Sequence, residues 1–305
     1  MDKKNGLLLV LITAVVSGFS IFLNSFAVKG FDSSIFTFSK NLVVAILLLA
    51  VVIGAGQLKL LKHLKGKQWT QLAAIGLIGG SIPFLLFFKG LQMTSGQTGS
   101  FIHKTMFIFV AVFALFFLKE KITKGIFIGA LLLIAGNFLM LRPQFSFSSG
   151  YLLVLAATLL WAAESVYSKH VLKELPGNIV AFGRMFFGSI FILAFLVVTG
   201  KTAITWSMSP AQYGWIGLSS VLLLVYVTSF YNGLRQVSVT TATCILSLGA
   251  PITTMLSWAF SGVQVTLFDA VGILLITAGI VIVVWFATVA AYFGRHFNAR
   301  AYGRD

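Results

Sequence analysis

Five ionisable residues stand in stretches where almost every neighbour is apolar: Lys40, His103, Lys104, Glu164 and Arg184. A charge in apolar surroundings costs free energy unless something compensates it, so each is a candidate for chemistry rather than for solubility. Trp161 precedes Glu164 by one helical turn and shares its face if the segment is a helix. Tyr226 and Tyr231 add hydroxyls that need partners in such a setting. Glu164 can pair with a base or carry a proton. The basic side chains can hold an anionic group such as a carboxylate or a phosphate. His103 and Lys104 are adjacent, ~100° apart on a helix, so sharing one narrow site is not automatic.

Other chemistries are poorly served. The single cysteine, Cys244, excludes disulfides and Cys-based metal clusters. Of four histidines only His103 lies deep in an apolar run, which speaks against a zinc site. GxxxxGK[ST], HExxH and GxSxG motifs are missing, as are repeated helical arginines and a K⁺-filter sequence. The sequence predicts no metal and no cofactor.

These residues must be positioned by helices in a bilayer. The chain of 305 residues is 58% hydrophobic, with a mean hydropathy of +0.99. Only 10% of residues are charged, against roughly 25% in a soluble domain. That excludes a soluble globular enzyme and a disordered chain. A bilayer core of ~30 Å needs ~20 mostly apolar helical residues. Ten runs qualify: about 6–28, 33–54, 69–89, 95–118, 123–141, 149–172, 178–199, 210–232, 237–260 and 266–290. The run from Gly6 to Val28 is too long for a signal-peptide core and reads as an uncleaved first helix. Residues 291–305 are expected to form a loose basic tail.

The net charge of +15 suggests nucleic acid in a soluble protein, but here its distribution matters more. Fifteen of the 22 Lys and Arg residues fall on the side of the N-terminus and four on the other. This predicts cytoplasmic N- and C-termini in a cell (inner) membrane, contact with anionic headgroups and no nucleic-acid partner. Lys40, Lys104 and Arg184 remain inside helices. Trp69, Trp206 and Tyr213 read as interfacial belt residues, and Asn24 and Asn41 as interhelical hydrogen-bonders or cavity lining.

The sequence also matches itself. Gly6-Leu-Leu-Leu-Val-Leu lies over Gly150-Tyr-Leu-Leu-Val-Leu, with Lys29 over Lys173, Phe38 over Phe182 and Lys40 over Arg184. Gly90-Leu91 lies over Gly233-Leu234, and Gly129, Ala135 and Gly136 lie over Gly272, Ala278 and Gly279. Two halves of five helices each, residues 1–143 and 144–290, therefore enter the membrane from opposite sides. The expected fold is an all-α integral membrane protein, two inverted five-helix repeats around a central cavity. Such repeats are common in secondary transporters, whose site lies near the midplane. Lys40 and Arg184 then sit at mirrored depths, roughly 10 Å from opposite faces.

Glycines and prolines mark where the helices bend or touch. Gly125, Gly129, Gly272 and Gly279 permit close approach of the fifth and tenth helices. Gly79, Gly80 and Pro83, with Gly249 and Pro251, weaken or kink the third and ninth, which makes them candidate gate hinges.

The run Leu118-Lys-Glu-Lys-Ile-Thr, Gly129 and Ala135-Gly136 in the first half resembles the EamA-type members of the drug/metabolite transporter superfamily. So do Tyr231-Asn-Gly-Leu-Arg235, Pro251 and Ala278-Gly279 in the second. The likeness covers about residues 6–288. Lys40 and Arg184 match its basic position in the second helix of each half, and Glu120 matches its helix-end Glu. Val263 and Ile108 stand where Glu120 and Pro251 would repeat, and the His103-Lys104 pair departs from the pattern. The resemblance implies alternating access and transport of a small metabolite, with export the commoner direction.

The combined expectation is a secondary transporter, exporter or exchanger, of a small anionic or zwitterionic metabolite such as an amino acid, acting as monomer or homodimer. Substrate would meet Lys40, His103, Lys104, Trp161, Arg184, Tyr226 and Tyr231, with Glu164 as the proton-coupling candidate. Two alternatives stand beside it: a lipid or headgroup flippase, and a membrane-embedded lipid-modifying enzyme. Glu164 is open to a second reading as Arg184's structural ion partner, and Lys40 to one in which it snorkels to the surface.

Overall fold

In the computed structural model the described residues are 3–27, 32–94, 96–143, 148–201 and 208–301. Lys29, Trp206 and Arg304 lie outside them. Ten helices among these residues are long and apolar enough to cross a membrane. We number them α1 (Lys3–Ala27), α2 (Ser33–Gly54), α3 (Gly66–Leu91), α4 (Thr98–Leu118), α5 (Lys124–Leu141), α6 (Ser149–Val171), α7 (Gly177–Val198), α8 (Pro210–Leu234), α9 (Val239–Ser261) and α10 (Leu267–Ala301). In lipid a helix satisfies its own backbone, so long apolar runs have few alternatives. Small polar residues set several starts by capping free N–H groups. Asp32 accepts from Ser34 N at 2.9 Å, Thr123 from Ile126 N at 3.3 Å and Ser148 from Tyr151 N at 3.3 Å.

The tail does not match the expectation. α10 continues through Ala301 rather than ending near residue 290. Residues 287–301 hold no proline and one glycine, and their Ala and Arg content favours continued helix.

The halves pack with inverted pseudo-symmetry. α1 lies along α8, and α3 lies along α6 in the same way. Gly6 meets Gly233 at the first crossing, as Gly150 meets Gly90 at the second. α2 packs on α7, and α5 on α10. At this last crossing a Cβ on Gly136 would fall 2.7 Å from Gly272 O, and one on Gly129 2.8 Å from Gly279 O. The helices can be this close only because those side chains are hydrogen atoms.

Three helices are interrupted. α3 widens to π-helix over Gly76–Ser81. α4 breaks at Thr105, whose N–H is shared between Phe101 O and Ile102 O, both at 3.1 Å. α9 breaks at the mirrored place, Ser247–Leu248. Pro251 has no N–H for Ser247 O, which instead accepts from Ala250 N at 3.1 Å.

The symmetry fails in one respect. On the side of the N-terminus, the first segment of α9 (Val239–Leu246) packs on the second segment of α4, on α5 and on α6. Its counterpart on the opposite side is the helical segment Gly96–Lys104, which begins two residues before the α4 span and forms its first segment. That segment packs on α3, α5 and α6 but forms no comparable contact with α9, α10 or α1. Helices α4 and α9 thus close on the N-terminal side and splay on the other.

Candidate functional site

Where α2, α3, α6, α7 and α8 converge, the intramembrane polar residues come together. The assembly starts from Pro83. Without an N–H it leaves the carbonyl of Gly79 without its usual helical partner. Two side chains from the other half fill the vacancy: Trp161 Nε1 donates to Gly79 O at 3.0 Å, and Arg184 Nη2 does so at 3.0 Å. One residue on, Gly80 O accepts from Asn41 Nδ2 at 3.0 Å. Glycine is required at position 79, where a Cβ would strike the Glu164 side chain and lie 3.1 Å from Arg184 Nε. The same holds at Gly80, where a Cβ would fall 2.5 Å from Arg184 O.

Glu164 is only 2% exposed. Its Oε1 accepts from Tyr231 Oη at 2.6 Å and from Ser168 Oγ at 2.6 Å. Two ion pairs join described residues, Arg142–Asp269 and Lys201–Asp32, both at helix ends. Neither involves Glu164 or Arg184. The two charges interact across Gly79, but the structural ion pair that stood as the alternative reading is not among the ion pairs of the described residues. Hydroxyls serve the acid and a carbonyl serves the base. Tyr226 lies within electrostatic reach of both.

Lys40 does not snorkel. It is 7% exposed, and its Nζ sits 5.1 Å from the centre of the Phe36 ring and 5.8 Å from that of Phe84. It is close enough to Arg184 for the two charges to repel. The helices that carry them, α2 and α7, pack on each other, so mirrored depths in sequence do not keep the two charges out of each other's reach.

His103 packs edge-on against Trp161, ring centres 4.9 Å apart, and lies 5.3 Å from Phe87. Its Nδ1 is buried without a partner, like Arg184 Nε and Asn41 Oδ1. Lys104, half-buried, acts electrostatically on His103 and has no carboxylate within ion-pair distance among the described residues. The centre thus gathers Lys40, Arg184 and His103, a wall of Phe84, Phe87 and Trp161, and one carboxylate engaged by two hydroxyls, with Lys104 beside it as the chain neighbour of His103. Such a centre can neutralise an anion. A cavity of about 350 Å³ lies elsewhere, at the start of α5, lined by Ile122, Thr123, Lys124, Phe127 and Ile128.

Some of this was missed in sequence. Ser168 is one turn from Glu164, a spacing that could have flagged it. Phe84 and Phe87 were hidden among thirty phenylalanines. Of the gate candidates, Gly79, Gly80 and Pro83 join the centre, while Gly249 and Pro251 sit at the break in α9.

Ten apolar helices with interrupted segments at the centre define a multi-pass membrane protein. The EamA-like transporter family model matches residues 4–142 and again 148–285. The chain belongs to the EamA-like transporter family. It is 27% identical over 303 residues to an uncharacterized transporter of Clostridium kluyveri, covering 92% of this chain and 93% of that one. It is 24% identical over 278 residues to the uncharacterized transporter YyaM of Bacillus subtilis, covering 86% and 90%. A solved crystal structure shares the fold with a TM-score of 0.77 at 17% identity, covering 94% of this chain and 100% of that one. The protein is therefore a membrane transporter.

Proposed function

We propose that this transporter is a secondary exporter or exchanger of a small metabolite bearing a carboxylate or similar anionic group, zwitterions included. It works by alternating access about the centre between its halves, in a cell membrane with both termini cytoplasmic. One observation carries the reading: Lys40, Arg184 and His103 gather at a centre whose one carboxylate is already bonded to Tyr231 and Ser168, and Lys104 next to His103 adds a further positive charge with no ion-pair partner among the described residues. An unmatched positive field in low dielectric attracts an anion. Lys40, Lys104 and Arg184 supply charge, Phe84, Phe87 and Trp161 an apolar wall, and Glu164 a group able to take up a proton when substrate leaves. The α3 and α9 interruptions serve as hinges. No step of this cycle makes or breaks a covalent bond in the substrate, so the reading assigns no enzymatic activity.

Proteoliposomes loaded with unlabelled carboxylates should accumulate the labelled compound faster than empty ones, with saturation. Equal uptake by loaded vesicles, empty vesicles and protein-free vesicles for every compound class would refute the proposal.

A further inference from the structure

The closed end of the molecule has a lock that the open end lacks. At the end of α4, Lys119 adopts the left-handed conformation, φ 56° and ψ 31°, which is unfavourable for a non-glycine residue. Glu120 N then donates back to Ala114 O at 3.1 Å. This reversal carries the Glu120 carboxylate across to the other half, onto the first turn of α9. Oε1 accepts from Val239 N at 2.9 Å. Oε2 accepts from Thr240 N at 3.3 Å and from Thr240 Oγ1 at 2.9 Å. Ser238 Oγ takes the next amide, Thr241 N, at 3.1 Å. The free N–H groups that begin α9 are thus satisfied largely by a charge from the opposite repeat, where the helix dipole also favours an anion.

The turn before α9 is held from the other direction. Lys169 Nζ donates to Leu234 O at 2.7 Å, Arg235 O at 3.2 Å and Val237 O at 2.7 Å. Its charge lies within reach of Glu120. Residues 234–240 are therefore clamped between a cation on the last carbonyls of α8 and an anion on the first amides of α9.

The mirrored site has a similar backbone but no carboxylate. At the end of α9, Gly262 takes the left-handed conformation, φ 67° and ψ 12°. Val263 N then donates back to Ser257 O at 3.4 Å, six residues earlier, as Glu120 does to Ala114. The residue so presented is Val263, 50% exposed. It carries no carboxylate for the start of α4, and on that side α4 and α9 stand apart.

We infer that Glu120 is a one-sided latch: a positioning residue that holds the gate between α4 and α9 shut on the side of the N-terminus and biases the resting transporter toward opening on the opposite side. This rests on the alternating-access reading, although its test needs no substrate. Cys244, the one cysteine of the chain, is buried four residues beyond Thr240 and reports on the latch.

Two variants separate a gate from a local cap. Glu120→Gln keeps the size of the side chain and removes its charge. Labelling of Cys244 by a membrane-impermeant maleimide, from the N-terminal side only, should rise on the order of tenfold, as when a charge-assisted contact worth ~1.4 kcal/mol is lost from a two-state equilibrium. Val263→Glu leaves Glu120 untouched and adds the missing carboxylate on the other side. It should also raise labelling from the N-terminal side, because it stabilises the opposite state. Unchanged labelling in both variants overturns the latch. A rise with Glu120→Gln alone also overturns it, since that means local fraying of α9. If Glu120→Gln is not monodisperse in detergent, Val263→Glu carries the test by itself. A protein that exchanges metabolite with unchanged labelling keeps the transport reading and loses the latch. One that shifts its labelling but exchanges nothing keeps the latch and loses the transport reading.

Discussion

Tyr231 and Ser168 both donate to one oxygen of Glu164, and this constrains what the acid can do. Hydrogen bonds to a buried charged group are worth about 1.5–3 kcal/mol each. Tyr231→Phe should therefore lower stability by roughly 2 kcal/mol, measurable as a fall in the detergent melting temperature, and Ser168→Ala by a comparable amount. Glu164→Gln keeps an acceptor for both hydroxyls. It should retain fold and exchange activity while losing uptake driven by a pH gradient. Gradient-driven uptake at the wild-type rate would make Glu164 purely structural. That Lys40, Glu164 and Arg184 lie within membrane helices could be read from residue type and the apolar runs around them, but not whether Lys40 stays buried or snorkels to the surface. Their partners could not, because Gly79 O is a backbone acceptor made available by Pro83 and has no side-chain signature.

At the scale of the element, interruptions and crossings decide the geometry. Ten helices were legible because each is a long apolar run between charged or turn-forming breaks. The weakening of α3 was legible from Gly79, Gly80 and Pro83, but not its form as a π-helix, which depends on Trp161, Arg184 and Asn41 arriving from other helices. The break in α4 had no such warning, since Ile108 stands where Pro251 repeats and Thr105 is an ordinary residue. The crossing of α5 and α10 tolerates no side chain at Gly136. Gly136→Val should cost about 1–3 kcal/mol through overpacking, and purified yield and melting temperature should both fall. At the start of α2, burial pushes the Asp32 carboxyl up, but Lys201 and the N–H groups of Ser34 and Ile35 outweigh it and hold the carboxyl below its ordinary value of 3.8. Because the folded-state value is the lower one, this contribution is complete above the unfolded value and fades as the pH falls through the folded one. Asp32→Asn should thus lower the melting temperature at neutral pH and make no difference in strong acid. An equal loss at both would show that the Lys201 pair contributes nothing.

For the whole molecule, inverted symmetry and its failure set how the ten helices pack. The repeat was visible in sequence through pairs such as Gly6 with Gly150 and Lys40 with Arg184. The structure turns those pairs into crossings and a shared basic centre. What the repeat could not reveal is which side is closed, because similar left-handed turns at Lys119–Glu120 and Gly262–Val263 present different side chains and only packing shows the consequence. The charge excess likewise resolves into two parts: a majority of basic residues at the ends of helices, and a few at the centre that can meet substrate. The most direct test of that centre is counterflow in proteoliposomes across matched anionic, zwitterionic and cationic metabolites, with wild type and Lys40→Gln side by side. The wild type should show saturable exchange of compounds bearing a carboxylate or phosphate, and Lys40→Gln should raise the half-saturating concentration about tenfold, the equivalent of ~1.4 kcal/mol of binding. Exchange confined to cationic compounds, indifferent to Lys40, would contradict the account.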